Sequence, residues 1–274
     1  MDPPASNASD PESLRLLAES VRTTLAGSSG AKLDAALADL GWLDMLAEMP
    51  ETAIPLVFRL LGETGAHAPV LNDVVLRASG GAPGGTVPLP FTGGSWVVWE
   101  RGDISCSAID DELPIRAVPQ GEPVSREALA AGWLALGWWL AGTSRAMLSL
   151  ARQHALDRVQ FGRRISSFQA IRHRLAETLV AIEGAEATLH AAADEPDHLA
   201  CLLAKAAAGQ AALTSARHCQ QVLGGIGFTA EHRLHHHVKR SLMLDGLLGS
   251  TRELTRDAGK ALRANGSAPR LSQL

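Results

Sequence analysis

Apolar positions recur at helical spacing over most of the chain. Leu14, Leu16, Leu17, Val21 and Leu25 predict a first amphipathic helix over 11–27, ended by Gly27-Ser-Ser-Gly30. Lys32–Ala47 predicts a second, with Leu33, Ala36, Leu37, Leu40 and Trp42 on one side, and Pro50 to Pro55 interrupts before Leu56–Gly65 resumes a helical pattern. Ser125 then offers a helix N-cap, with Glu127 near the positive end of the dipole. Behind it Leu129, Trp133, Leu136, Leu140, Met147 and Leu150 predict a long buried helix ending near Asp157. Ile171, Leu175, Leu179, Ile182 and Leu189 mark the next, closing before Pro196. Alanine-rich His198–Val222 is a third, and Thr251–Asn265 a shorter last one. These four predict a helix bundle with short antiparallel connections.

Between Gly80 and Pro123 the pattern changes. Gly and Pro become frequent, and Trp96-Val97-Val98-Trp99 and Ile104–Ile109 read as short strands bounded by turn residues. The expected class is mainly α. A disordered tail (1–10) leads into an N-terminal helical part (11–79), a reduced β segment or linker (80–123), a C-terminal four-helix bundle (124–265) and a second tail (266–274).

Composition narrows the partners. The 274 residues carry 25 basic and 29 acidic side chains, a net charge of −4 without long runs of one sign, which disfavours nucleic acid or an anionic membrane surface. Ala128–Gly142 is too short to span a bilayer, and residues 1–12 lack a basic start followed by an apolar core. Cys106, Cys201 and Cys219 are scattered without Cys-x-x-Cys spacing and read as reduced thiols. A cytoplasmic protein with small-molecule ligands is expected.

Two stretches depart from helical monotony. Arg158–Ile171 (RVQFGRRISSFQAI) packs a Gly, two aromatics, two Gln and three Arg between long helices, a composition suited to gripping something anionic. Gln221–Phe228 (QVLGGIGF) follows a predicted helix rather than a strand, so its glycines lack the strand-turn-helix context of a Rossmann site. They do permit close approach of backbone to a ligand.

In order and spacing these two stretches resemble the cofactor motifs of acyl-CoA dehydrogenases, most clearly over residues 125–260. Leu40-Gly41-Trp42-Leu43 and Leu61-Gly62-Glu63 resemble fragments of that family's helical N-terminal domain. The resemblance implies FAD: Arg158 on its pyrophosphate, Phe161 packed nearby, Gln169 on the adenosine side, and Gln160 as an added neighbour. Gln221, Val222, Gly224 and Gly225 would lie along the pyrophosphate and adenine of a neighbouring subunit's FAD, which implies an oligomer. The family's middle β-domain, roughly a hundred residues, is matched here by only about forty. Histidines 232, 235, 236 and 237 form a dense cluster, but no cysteine or acid completes a metal pattern, so no metal is expected. The resemblance places them at the interface near the cofactor.

The family's chemistry needs a carboxylate to remove the proton next to the thioester. At the matching turn, Leu248-Gly249-Ser250-Thr251-Arg252-Glu253, Gly249 stands where the glutamate is expected, and the alternative position on the first long helix falls near Gly132. Glu127 and Asp245 are the nearest acids, with helix capping as the competing role of Glu127. Absent base, shortened β segment and retained cofactor motifs together resemble the degenerate subunit of actinobacterial α2β2 assemblies, several of which act on CoA thioesters of steroid fragments. Such a subunit helps hold FAD while its partner dehydrogenates a CoA thioester, with an electron-transfer flavoprotein as acceptor. The alternatives are a homo-oligomeric dehydrogenase using Glu127 or Asp245, and a scaffold without flavin.

Overall fold

The computed structural model describes residues 11–102 and 109–266, and the fold is mainly helical as expected. Five helices build the N-terminal part: α1 (Pro11–Gly27), α2 (Gly30–Asp39), α3 (Trp42–Glu48), α4 (Pro50–Thr64) and α5 (Val70–Ala78). The expected single helix over Lys32–Ala47 is two, because Gly41 takes a left-handed conformation (φ 87°) that caps one and starts the next. Pro50 and Pro55 do not interrupt. Pro50 occupies the first turn of α4, where its missing N–H costs nothing, and Pro55 lies inside the helix. Helix α5 was not expected from the apolar spacing.

A three-stranded antiparallel sheet follows, in the order β1 (Pro88–Phe91), β2 (Ser95–Trp99), β3 (Ile115–Val118). The expected strand at Trp96–Trp99 is the central one, with Leu89 opposite Val97 and Val97 opposite Ala117. Two prolines hid β1 from the sequence reading; an edge strand tolerates them. Of the strand expected over Ile104–Ile109, residues 104–108 lie outside the described residues, as do Cys106 and the tails 1–10 and 267–274, and Ile109 is a bend.

The bundle starts with α6 (Arg126–Asp157), capped by Ser125, whose Oγ accepts the Ala128 N–H at 3.1 Å. A two-strand hairpin, β4 (Val159–Gln160) and β5 (Arg163–Arg164), turns the chain into α7 (Gln169–Asp194). Then come α8 (His198–Leu223), a short 3-10 turn over Gly224–Phe228, α9 (Leu234–Gly246) and α10 (Thr251–Asn265). Helix α6 packs along α8, α7 and α9, and α10 closes against α8. On α7 the buried stripe is Thr178, Ile182, Ala185, Glu186, Leu189 and Ala192; Leu179, expected inside, is 41% exposed beside Val180. His198–Phe228 is long and apolar enough for a membrane span, but 61% of that window is buried against the rest of the chain.

One continuous core joins the three parts. Aromatic rings run through it from α3 to β2: Trp42 to Phe58 (6.2 Å), Phe58 edge-on to Trp139 (5.6 Å), and Trp139 stacked on Trp99 (5.4 Å). Helices α4 and α6 approach closely because each offers a glycine at the crossing: a Cβ on Gly142 would overlap the carbonyl oxygen of Arg59, and one on Gly62 that of Trp139. A smaller cluster of Met147, Ala151, Ala155, Cys219, Val222 and Leu234 lies at the far end of α6.

Candidate functional site

At that far end the chain turns sharply. Arg158 ends α6 in an extended conformation, its N–H bonded to His154 O at 2.9 Å. Gln160 pairs with Arg163, leaving Phe161 (φ 53°) and Gly162 (φ 75°) as a two-residue loop with positive φ at both positions. That is the type I′ geometry that matches strand twist. Glycine accepts it freely; a phenylalanine there is strained by about 1–2 kcal/mol. The strained ring is also 90% exposed. A large aromatic held in a disfavoured backbone and pointed away from its own core marks a contact surface.

Cations surround it. Arg158, Arg163 and Arg164 are exposed, and none forms an ion pair among the described residues. Arg163 lies over the Phe168 ring at 4.2 Å, and Phe161 meets the same ring edge-on at 6.1 Å. Asp157, the neighbouring acid, accepts instead from Gln153 Nε2 at 2.8 Å. Gln169 opens α7 with its amide 3.3 Å from His173 Nε2.

The glycine run sits at the same end of the bundle. Ile165 and Ile171 from the hairpin side, and Val222 and Leu223 from the α8 side, pack on the same small cluster. His154, one turn before Arg158, meets His232 edge-on at 6.5 Å, and burial lowers the pKa of both rings. Gln221 and Gly225 are exposed, and no atom lies within 4 Å of where a Cβ would stand on Gly224 or Gly225. Gly224 (φ 65°, ψ −140°) ends α8 in a conformation that L side chains avoid. Val222 turns its side chain into the cluster, so only its backbone is open to a ligand. The surface is thus cationic, aromatic and glycine-lined, with the donor chemistry that a dinucleotide pyrophosphate requires.

The histidines divide. His232 Nδ1 accepts the Leu234 N–H at 3.1 Å, His235 and His236 stack at 3.8 Å, and His237 is buried. Only His232 reaches the cofactor corner.

At the other end of α6 the expected base turn is closed. Leu248 carries φ 55° and Gly249 φ 96°. The Leu248 N–H donates to Pro90 O at 2.8 Å, and Phe91 bridges to Leu247, so strand β1 covers the turn directly. Trp133 Nε1 donates to Leu248 O at 2.8 Å. Leu248 itself fills the space over Gly132, where a Cβ would overlap its Cδ1. Gly132 and Leu248-Gly249, the two places where a base was sought, therefore face each other with hydrocarbon between them.

Each nearby carboxylate is committed elsewhere. Asp245 accepts from Thr251 N–H (3.1 Å) and Thr251 Oγ1 (2.5 Å), fixing the start of α10. Glu253 accepts from the Ser250 N–H (2.9 Å), Ser250 Oγ (2.7 Å) and the Gly93 N–H (2.9 Å), which hold its carboxyl down at about 2. Glu127 is fully exposed and its pKa is lowered by its own backbone amide and by Ser125, as a capping acid. The sequence reading missed Lys205. Fully buried on α8, it donates to the carbonyls of Asp245 (2.6 Å) and Gly249, and burial lowers its pKa to about 8. A lysine in register with Cys201, Ala208 and Ala212 on an alanine-rich helix was the available signal.

The chain is similar to known proteins in sequence and fold. The family described as "Acyl-CoA dehydrogenase, C-terminal domain" matches residues 120–262. Over 205 residues the chain is 36% identical to acyl-CoA dehydrogenase FadE34 of Mycobacterium tuberculosis, covering 66% of this chain but only 28% of that relative. Among solved structures, the Tcur3481-Tcur3483 steroid ACAD superposes with a TM-score of 0.72 at 17% identity, covering 94% of this chain and 99% of that one. The ChsE4-ChsE5 complex from Mycobacterium tuberculosis gives 0.72 at 19%, covering 94% and 98%. The chain belongs to the acyl-CoA dehydrogenase family.

Proposed function

We propose that this chain is the base-less subunit of a hetero-oligomeric acyl-CoA dehydrogenase, holding FAD for a catalytic partner that oxidises the Cα–Cβ bond of a CoA thioester. One observation carries the reading: the base turn is plugged and has no free carboxylate among the described residues, while the Arg158 corner at the other end of α6 is open, cationic and without an ion pair among them. FAD, when bound, supplies the hydride acceptor. This chain's part is positional. Arg158 would meet the pyrophosphate with Arg163 and Arg164 beside it, Phe161 and Gln160 would flank it, and Gln169 would bond its adenosine side, while Gln221 and the amides around Val222, Gly224 and Gly225 would lie along the pyrophosphate and adenine of a neighbouring subunit's FAD.

Two named structural relatives each pair two different proteins, which supports a mixed assembly; one is called a steroid ACAD, which favours a steroid-derived thioester. An electron-transfer flavoprotein would then reoxidise the flavin. The homo-oligomeric alternative asks Glu127 or Asp245 to act as base, and both are tied to helix starts.

The test is the absorbance spectrum and native mass of the chain, alone and co-expressed with a dehydrogenase encoded beside it. Expected are flavin near one FAD per heterodimer and a four-subunit mass on co-expression only, with Arg158→Ala removing the colour. Flavin and acyl-CoA oxidation by the chain alone would overturn the proposal, and absence of flavin from both preparations would leave a scaffold.

A further inference from the structure

A sizeable cavity lies away from the Arg158 corner. It encloses about 710 Å³ between the N-terminal helices and the first turn of α9, with Ser28 and Ser29 on one side, Thr64 to His67 behind, and Arg233, His236, His237 and Glu112 opposite. Two helix starts converge on it. Ser29 is the N-cap of α2, but its Oγ accepts the His67 N–H at 3.1 Å; the Gly30 N–H donates to His67 O at 2.7 Å, and the amides that follow it have no side-chain cap. Helix α9 begins at Leu234, directly after Arg233. Only α2 brings unbonded amides and its positive dipole end to the wall, since the Leu234, His235 and His236 amides of α9 are bonded to His232 Nδ1, His232 O and Arg233 O.

Its side chains add a second, independent feature. His237 is only 6% exposed, lines the cavity beside Gly65, and its Nδ1 has no hydrogen-bond partner among the described residues. Arg233 is exposed at the mouth and makes no ion pair among the described residues. The one acid among the lining residues, Glu112, is paired: its Oε2 accepts from Arg240 Nη2 at 3.0 Å and its Oε1 lies 2.7 Å from His236 Nδ1. Arg240 is itself buried and bonded to Asp110 at 2.5 Å. A buried polar atom without a partner costs about 1–3 kcal/mol, so a cavity that keeps one has room for the group that would satisfy it.

We propose that this cavity binds the oxyanion group, carboxylate or phosphate, of a small molecule, with Arg233 pairing at the mouth and the α2 amides beyond Gly30 and His237 Nδ1 donating inside. Leu25, Ala26 and Ala66 line the apolar remainder of the wall and suit a small hydrocarbon portion. Burial and the neighbouring Arg240 and Arg233 hold the His237 pKa down at about 4, so the ring is neutral at pH 7 and offers a single N–H. The charge comes from Arg233 and the α2 dipole. This site does not depend on the cofactor reading.

Calorimetric titration of the full chain, in whatever assembly it purifies, with inorganic phosphate and separately with succinate at fixed ionic strength tests it. Saturable binding of either probe is expected, weakened at least tenfold by Arg233→Gln and unaffected by Arg163→Gln at the cofactor corner; the tighter probe names the oxyanion. Arg233 is exposed, so its loss does not endanger folding. Binding that survives Arg233→Gln, binding lost instead in Arg163→Gln, or no saturable binding of either probe would overturn the proposal.

Discussion

Gly249→Glu, which puts a carboxylate where the resemblance expects the base, tests whether this turn can support an active site. Gly249 has φ 96°, a region that costs a non-glycine residue about 1–3 kcal/mol. A Cβ there would also press on Leu254 Cδ2 at 3.1 Å, a flexible side-chain end that can yield. The turn has little freedom to relax, since Pro90, Trp133 and Lys205 hold the backbone of Leu248 and Gly249 from three sides. The expected loss is therefore about 2–3 kcal/mol, read as a lower urea midpoint at unchanged slope. No acyl-CoA-dependent flavin reduction or dye reduction should appear in the purified chain, because Leu248 fills the space over Gly132 and β1 covers the turn. Turnover by the Gly249→Glu chain alone would refute the plugged-turn reasoning, since it would require an open acyl site and a flavin at this turn. An unchanged urea midpoint would refute the claim that the turn is clamped.

Gly142→Ala should be the most damaging single methyl in the fold. Its Cβ would overlap Arg59 O and stand 2.9 Å from Arg59 C, backbone atoms that cannot swing away, so a loss of about 3 kcal/mol or more is expected in denaturant unfolding. Lys205 predicts a pH effect. Burial holds its folded pKa at about 8, below the ordinary lysine value of 10.5, so the unfolded chain binds more protons between those values and stability rises with pH there, by up to about 3 kcal/mol. Buried Cys201 and Cys219, pushed up to about 11 and about 12, act in the opposite direction above pH 9, so the comparison is wild type against Lys205→Met, whose curve should lack the rise. Parallel curves would refute it.

Much of this was legible in the sequence where one periodicity ruled. The long helices of the bundle follow their apolar spacing, and the Ser125 cap is where its chemistry put it. The losses have physical causes. Gly41 splits one apolar run into two helices through a single left-handed residue, and Pro50 and Pro55 read as breaks although a first-turn proline fits a helix start. Strand β1 is carried by pairing to Trp96–Val98 and by contact with Leu247, neither of which is local. The plug over the base turn was for that reason invisible: Gly249 shows that a carboxylate is missing, but only the fold shows that Leu248, Pro90 and Lys205 have taken the space and the hydrogen bonds.

The closed turn and the open corner stand at opposite ends of one helix. Gly132 and Arg158 are roughly 26 residues apart along α6, about 39 Å at 1.5 Å per residue. A dinucleotide held at the Arg158 corner cannot also place its reactive ring over Gly249 of the same chain. The corner and the glycine run share one small cluster, and under the proposed function they would serve flavins whose chemistry lies in a neighbouring subunit. Loss of the base at Gly249 therefore leaves the corner's task intact. It also explains why Phe161 is kept 90% exposed on a strained backbone while the turn at the other end is buried under β1. A chain that worked on its own flavin would need the reverse: an open turn with a free carboxylate.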